Sequence, residues 1–173
     1  MQKTYLCIDL KSFYASVECV ELGLDPFEVN LVVAGPTRGG GAITLAASPA
    51  IKKLGVSSRG RIYEIDSTIE YMITPPRMHL YMEYSCKVYK VFLEFIAKED
   101  IHVYSIDESF LDVTSYLKLY QISAKELAKK ILDRVYEKTG LTATVGIGTN
   151  LYLAKIAMDI SAKHNVDRMA YLN

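Results

Sequence analysis

The stretch YSIDESFLDV, residues 104–113, places two acids, Asp107 and Glu108, between two runs with the composition of β-strands. Those runs are IHVYSI (101–106) and SFLDVT (109–114). Adjacent carboxylates repel each other, and a chain that needed only a tight turn would more readily use Asn-Gly or Asp-Gly. The pair therefore indicates a candidate functional site at the tip of a hairpin.

The elements on either side of this hairpin define the predicted fold. Apolar spacing and capping residues give a strand over residues 4–8 that ends at Asp9, a helix from Pro76 to about Lys98, a helix over 123–140, a strand over 142–148 and a helix over 150–164. With residues 10 to about 75 set aside, the order is β-α-β-β-α-β plus a final helix. This order predicts an α+β sandwich with a ferredoxin-like core.

The segment set aside carries elements of its own. Its spacing predicts a helix over residues 12–22, strands over 30–35 and 42–47, and a short helix capped by Ser48. We therefore expect an inserted subdomain rather than a long loop.

The predicted topology brings three carboxylates to one edge of the sheet. The first two core strands run parallel and the third returns between them, so Asp9 and the pair Asp107-Glu108 end at the same edge. Clustered carboxylates need a cation, and oxygen ligands without His or Cys favour Mg²⁺, with Mn²⁺ as a substitute. Two such ions serve attack on phosphorus. The alternative is a solvated acidic turn together with an Asp that caps the next element.

Composition sets the class of protein. Half of the 173 residues are hydrophobic, which favours a folded core, and the formal net charge is zero, so no strongly basic surface dominates. The three cysteines and three histidines are scattered, which argues against a disulfide framework and a zinc site. We see no signal peptide and no apolar run of about 20 residues, so we expect a cytoplasmic protein without a membrane partner.

Three separated motifs resemble those of the Y-family, UmuC/DinB-type translesion DNA polymerases, and most closely the UmuC-like branch of Gram-positive bacteria. They are CIDLKSFYASVE (7–18), YSIDESFLDVT (104–114) and TVGIGTNLYLAKIAMD (144–159). The resemblance implies a palm domain of residues 1–10 and 76–173 and a fingers subdomain of residues 11–75. It also implies two-metal nucleotidyl transfer from a deoxynucleoside triphosphate to a primer on template DNA, in damage tolerance at the nucleoid.

The resemblance also implies roles for individual residues near the first and second motifs. Asp9, Asp107 and Glu108 match the metal ligands, and the backbone carbonyl of Leu10 matches a fourth. Phe13 and Tyr14 lie where backbone amides meet the triphosphate. Tyr14 also matches the steric gate that leaves no room for a ribose 2′-hydroxyl; the alternative is an aromatic ring on the buried face of a helix.

Other triphosphate contacts match the family less closely. Lys163 matches a phosphate-binding lysine, but the segment before it carries one residue more than the usual spacing. The alternative is a solvated lysine near a helix C-terminus, where its charge interacts favourably with the helix dipole. Lys52 stands where an arginine is usual and cannot supply its bidentate fork. Either the grip on the triphosphate is weaker here, or Ser48 and Arg38 help. The loop that contains Gly39 and Gly40 is hypothesised to leave room for damaged bases.

Family members run to roughly twice this length, and the resemblance implies that the thumb and the C-terminal little-finger domain are absent here. We therefore expect a fragment that binds metal and extends primers poorly or not at all, with any sliding-clamp contact lying in the absent region. Two alternatives stay open. One is a palm-fold nucleotide cyclase, and the lack of the GG[DE]EF-type hairpin of that class argues against it. The other is a non-catalytic UmuC-like repair or regulatory module.

Overall fold

The computed structural model describes residues 2–36 and 41–173. The predictions for Arg38, Gly39 and Gly40 lie outside the described residues. In chain order the strands and helices are β1 (Tyr5–Leu10), α1 (Phe13–Glu21), β2 (Leu31–Ala34), β3 (Thr44–Ala47), α2 (Pro49–Lys52), β4 (Met72–Thr74), α3 (Met78–Leu93), β5 (Ile101–Val103), β6 (Glu108–Asp112), α4 (Thr114–Tyr120), α5 (Ala124–Thr139), β7 (Ala143–Gly148), α6 (Leu151–Ile156) and β8 (Met169–Leu172).

The chain divides into two compact units. The large unit contains the residues up to Leu10 together with Glu83–Asn173, and the small unit is Lys11–Met82. Each unit has its own β-sheet, so each is described separately.

The large unit is built on a five-stranded sheet with the order β5-β6-β1-β7-β8. The central strand β1 is antiparallel to both β6 and β7, while β5 is antiparallel to β6. Strand β5 therefore runs parallel to β1 with β6 between them, which is the ferredoxin-like order. The predicted fold class is confirmed, and β8 adds an outer strand parallel to β7.

Alternate residues of β1 face opposite sides of this sheet. Ile8 lines a small cavity together with Val88 of α3, whereas Cys7 packs against Ala154 of α6. On that second face α6 lies directly on the backbone of β7. A Cβ added at Gly146 would lie 2.0 Å from the carbonyl oxygen of Ala154, so only glycine permits this approach.

The small unit has a three-stranded sheet with the order β3-β2-β4. Its core includes Val32, Ala47 and Ile51, all fully buried. Ser48 caps α2, as predicted, because its hydroxyl accepts a hydrogen bond from the amide of Ile51.

Several predicted boundaries differ from the structure. Helix α3 ends at Leu93 and not near Lys98, because the amides of Glu94 and Phe95 bond three residues back and tighten the turn. The final predicted helix is divided into α6, a π-helical turn at Ala157–Ser161 and a 3₁₀ turn at Ala162–His164. The short elements β4, α4 and β8 were not predicted.

Helix α5 matches its predicted ends. Ser123 and Glu126 form the capping box, and Gly140 ends the helix in the left-handed region with φ of 72°. Among the described residues, no helix combines the length and the apolar character that crossing a membrane would require.

Candidate active site

Asp9 and Glu108 are direct partners in the pairing of β1 with β6. Directly opposed residues of an antiparallel pair project from the same face of the sheet, so these two carboxylates are neighbours despite their distance in sequence. Asp107 precedes Glu108, and its backbone oxygen accepts a hydrogen bond from the amide of Leu10 at 2.9 Å. The Asp107 carboxylate accepts a hydrogen bond from the Ser105 hydroxyl at 2.8 Å.

The two opposed acids lie in a poorly hydrated position. The side chain of Asp9 is 20% exposed and that of Glu108 is 9% exposed. Burial raises the pKa of Asp9 to about 6; the positive charge of Lys163 opposes the rise, and the negative charges of Asp107 and Glu108 add to it. Negative charge at Asp9 is therefore costly unless a cation is close.

Two lysines on one side of the last helical segment supply positive charge to these acids. Lys155 Nζ lies 2.5 Å from Glu108 and 3.3 Å from Asp159. Lys163 Nζ lies 3.3 Å from Asp159 and 3.6 Å from Asp9. We call these five residues the acid–lysine network. Its charges alternate, so every acid has a lysine beside it.

The π-helical turn explains how both lysines reach this network. In a straight α-helix, a residue eight positions further along is rotated by about 80° from the first. The wider π turn at Ala157–Ser161 accommodates an extra residue, and Lys155 and Lys163 both contact Asp159. The extra residue before Lys163 therefore does not turn its ammonium away from Asp9.

Glu108 is stabilised by the charge of Lys155 and by a hydrogen bond from the Cys7 thiol. Burial lowers the pKa of Lys155, but the hydrogen bond and the charge of Glu108 outweigh it, so the pKa lies above its ordinary value. Burial, followed by the charge of Glu108, raises the pKa of the Cys7 thiol. The thiol therefore stays protonated and donates to Glu108 Oε1 at 3.3 Å.

The donor chemistry of this edge fits a hard divalent cation. Asp9, Asp107 and Glu108 offer carboxylate oxygens, the ligand type that Mg²⁺ and Mn²⁺ prefer. As the side chains stand in the described ranges, no three His, Cys, Asp or Glu residues are arranged to hold a metal ion. An ion bound among these carboxylates would compete with Lys155 for Glu108 and with Lys163 for Asp9.

The predicted triphosphate residues of the small unit have varied environments. Phe13 is buried at the start of α1, and the adjacent Tyr14 is half-buried. Ser12, just before the helix, has a left-handed conformation with φ of 48°, and Lys52 Nζ donates to its hydroxyl at 3.0 Å. A lysine therefore lies beside the first turn of α1.

Ser48 has a different environment from Lys52. It is fully buried, and its hydroxyl donates to the Val29 carbonyl at 2.6 Å while accepting from the amides of Leu31 and Ile51. Its oxygen is committed to the internal structure of the small unit, so the predicted triphosphate contacts of this unit depend on Lys52 and the start of α1.

Sequence reasoning missed Lys155 and Asp159. Their spacing of four residues, continued to Lys163, was a usable signal because such residues are neighbours on a helix surface. The π-helical turn had no recognisable signal apart from the extra residue.

Known proteins are similar to this chain in both structure and sequence. A Y-family DNA polymerase chimera of Dbh and Dpo4 superposes with a TM-score of 0.81 at 26% identity, over 98% of this chain and 48% of that one. The fold thus has the organisation of a Y-family polymerase. The model of the impB/mucB/samB family matches residues 8–159, and the chain belongs to this family.

Two relatives come from Bacillus subtilis (strain 168). UvrX, whose name associates it with the repair of UV damage, is 41% identical over 163 residues, which are 94% of this chain and 38% of UvrX. DNA polymerase IV 2 is 37% identical over 167 residues, 95% of this chain and 39% of the polymerase. The chain thus spans about two fifths of the length of these relatives.

Proposed function

We propose that this chain is the metal- and nucleotide-binding part of a Y-family translesion DNA polymerase. The reaction is template-directed transfer of a nucleotide from a deoxynucleoside triphosphate to a primer 3′-hydroxyl. The observation that carries the proposal is the pairing of Asp9 with Glu108 beside Asp107, with Lys155 and Lys163 against the same carboxylates. Family membership and the polymerase relatives support the reaction class.

The units correspond to two parts of such an enzyme in this proposal. The large unit is the palm, which carries the acids, and the small unit is the fingers. The units divide after Leu10 and after Met82, while the sequence motifs suggested residue 75 for the second boundary.

The acidic edge is the proposed metal site. Asp9, Asp107, Glu108 and the carbonyl of Leu10 would hold two Mg²⁺ ions, or Mn²⁺ as substitutes. When bound there, the ions would supply activation of the attacking hydroxyl and neutralisation of the charge on the leaving group. The Cys7 thiol helps to orient Glu108, since it donates to Oε1, the oxygen that Lys155 also contacts.

Lysine and aromatic residues are the proposed nucleotide contacts. Lys163 lies 3.6 Å from Asp9, which is longer than a hydrogen bond, so a phosphate can compete for its ammonium. Lys52 and the amides of Phe13 and Tyr14 are the contacts in the small unit, at a helix start that favours anions. The Tyr14 ring acts as the gate against the ribose 2′-hydroxyl.

Primer–template DNA is the proposed macromolecular partner, supported by the relatives named as DNA polymerases. A contact with the sliding clamp through segments outside this chain, and association with the nucleoid in the cytoplasm, stay predictions.

Titration of Mn²⁺ into the chain, followed by electron paramagnetic resonance, tests the metal site. Asp9→Asn and Glu108→Gln are each expected to weaken binding at least about tenfold. Asp133→Asn is the control, because Asp133 is an exposed acid on α5 that pairs with Lys129. Equal affinities in all four proteins would contradict the proposal and favour a non-catalytic module.

Incubation of the chain with a nucleoside triphosphate and Mn²⁺, without DNA, distinguishes a cyclase from a polymerase. A polymerase leaves the triphosphate intact without a primer, whereas a cyclase consumes it. Release of pyrophosphate in this assay would overturn the polymerase assignment.

A further inference from the structure

The small unit contains a buried acid whose hydrogen bonds are satisfied. Glu18 on α1 is 2% exposed and accepts hydrogen bonds from Arg77 Nε at 3.0 Å and Nη2 at 2.5 Å. It also accepts from the hydroxyl of Tyr81 at 2.7 Å. We call these three residues the Glu18 cluster. The forked guanidinium fixes the plane of the carboxylate, and the carboxylate then fixes the position of the Tyr81 hydroxyl.

The face of the Tyr81 ring is stacked on Tyr14. The ring centroids are 4.4 Å apart and the planes differ by only 14°. Phe13 lies near both rings, at 5.6 Å from Tyr14 and 6.4 Å from Tyr81. Tyr81 is fully buried, whereas Tyr14 is half-buried. One face of the Tyr14 ring is therefore covered by an aromatic ring that is itself held in place.

The Tyr81 ring has little freedom to move. Burial, followed by the hydrogen bond to Glu18, raises the pKa of its hydroxyl, which stays a proton donor. Its backbone is held in the first turn of α3, where its amide bonds to the carbonyl of Arg77 at 3.1 Å. A ring fixed at both ends can restrict the orientation of its stacked neighbour.

We propose that Tyr81, oriented by Glu18 and Arg77, is a positioning residue that holds the Tyr14 ring where it distinguishes deoxyribose from ribose. This inference rests on the proposed function, in which Tyr14 is the gate. It assigns specificity to a side chain that lies outside the three sequence motifs. The stack supplies orientation, and Tyr14 supplies the steric contact with the sugar.

The experiment measures the ratio of affinities for dATP and ATP, with Mn²⁺ present, in the chain and its variants. Tyr14→Ala is expected to lower this ratio about tenfold, the scale of a lost steric contact. Tyr81→Leu should lower it about threefold, while the affinity for dATP itself changes less than about twofold. Tyr81→Phe keeps the stack and loses the hydrogen bond. Its affinity ratio should lie between the ratios of Tyr81→Leu and the unchanged chain.

The control is Tyr63→Leu, because Tyr63 is an exposed tyrosine of the same unit, and it should leave the ratio unchanged. A ratio that falls in Tyr14→Ala but not in Tyr81→Leu would overturn the positioning role and leave the gate intact. A ratio that does not change in Tyr14→Ala, or a chain that binds neither nucleotide, would overturn the proposed function and the inference with it.

A second measurement covers the case in which Tyr81→Leu does not fold. The chain contains no tryptophan, so Tyr14→Trp introduces a single fluorescent reporter at the gate position. Adding Tyr81→Phe to that background should raise acrylamide quenching of the indole about 1.5-fold or more, because the stacked ring loses its anchor. Unchanged quenching would overturn the proposal.

Discussion

Two clusters of buried charge in this molecule are satisfied in different ways. Glu18 in the small unit has three donors at 2.5–3.0 Å and is closed to solvent. Asp9 in the large unit has its nearest ammonium at 3.6 Å, and burial raises its pKa to about 6. Glu18, with short hydrogen bonds from all three donors, is part of the scaffold of the small unit. Asp9 carries an unfavourable negative charge and has only a long contact to Lys163, so it can exchange this partner for a ligand.

Removing the satisfied acid should have the largest effect. Glu18→Ala leaves Arg77 without its carboxylate and the buried Tyr81 hydroxyl without an acceptor. We expect the free energy of unfolding to fall by about 3 kcal/mol, as for other broken buried pairs. Urea unfolding followed by circular dichroism measures this. Glu137→Ala, at an exposed acid, is the control, and a loss no greater than that of the control would show that the cluster does not stabilise the small unit.

The acid–lysine network depends on the close seating of α6 on β7. Gly146→Ala would place a methyl group 2.0 Å from the carbonyl oxygen of Ala154, so the helix must move. We expect a loss of about 2–3 kcal/mol in unfolding free energy. Gly35→Ala is the matched control, since a Cβ there meets no atom within 4 Å. Equal stability of the two variants would mean that α6 can shift without cost.

Replacement of Asp9 should raise the free energy of unfolding rather than lower it. The pKa of Asp9 is raised from 3.8 to about 6, so the folded state holds the Asp9 proton more tightly than the unfolded state does. Its contribution to stability is fully present below pH 4 and is lost as the pH rises through 6. Asp9→Asn, which carries no charge, should therefore stabilise the chain at pH 7 by about 1–2 kcal/mol.

Thermal unfolding at pH 4 and pH 7 checks this prediction. The stabilisation by Asp9→Asn should be much smaller at pH 4, where Asp9 is protonated in the folded state and nearly half protonated in the unfolded state. A difference that is the same at both pH values would contradict the raised pKa.

Surface charge provides the smallest expected effect. Lys129 and Asp133 form an exposed i,i+4 pair on α5 at 2.6 Å. Asp133→Ala should cost only about 0.3 kcal/mol, because water screens the pair, and the cost should disappear in high salt. Urea unfolding at two salt concentrations measures it. A loss comparable to that of Glu18→Ala would remove the distinction between buried and exposed charge on which the comparison depends.

The predictable parts of the fold are those with local signals. The capping box of Ser123 and Glu126 and the N-cap Ser48 specify their helices through backbone hydrogen bonds within a few residues. The order of elements then predicted the sheet topology, because few arrangements of β-α-β-β-α-β are possible. The opposition of Asp9 and Glu108 follows from that topology.

The parts that were missed depend on tertiary contacts. The apolar spacing continues through Phe95 and Ile96 beyond the end of α3, since Ile96 is buried there without being helical. Strand β8, Met169–Leu172, is only four residues long and is defined by its pairing with β7. The stacking of Tyr14 on Tyr81 has no sequence signal, because the two residues come from separate helices.

The π-helical turn at Ala157–Ser161 also bears on how this segment tolerates changes in length. In an ordinary α-helix, the insertion of one residue rotates every later side chain by about 100° around the axis. This would move an ammonium group away from its carboxylate partner. A π-helical turn accommodates the inserted residue locally, so the side chains that follow keep their direction. Sequences that differ by one residue between the two lysines can thus present the same charges to the same acids.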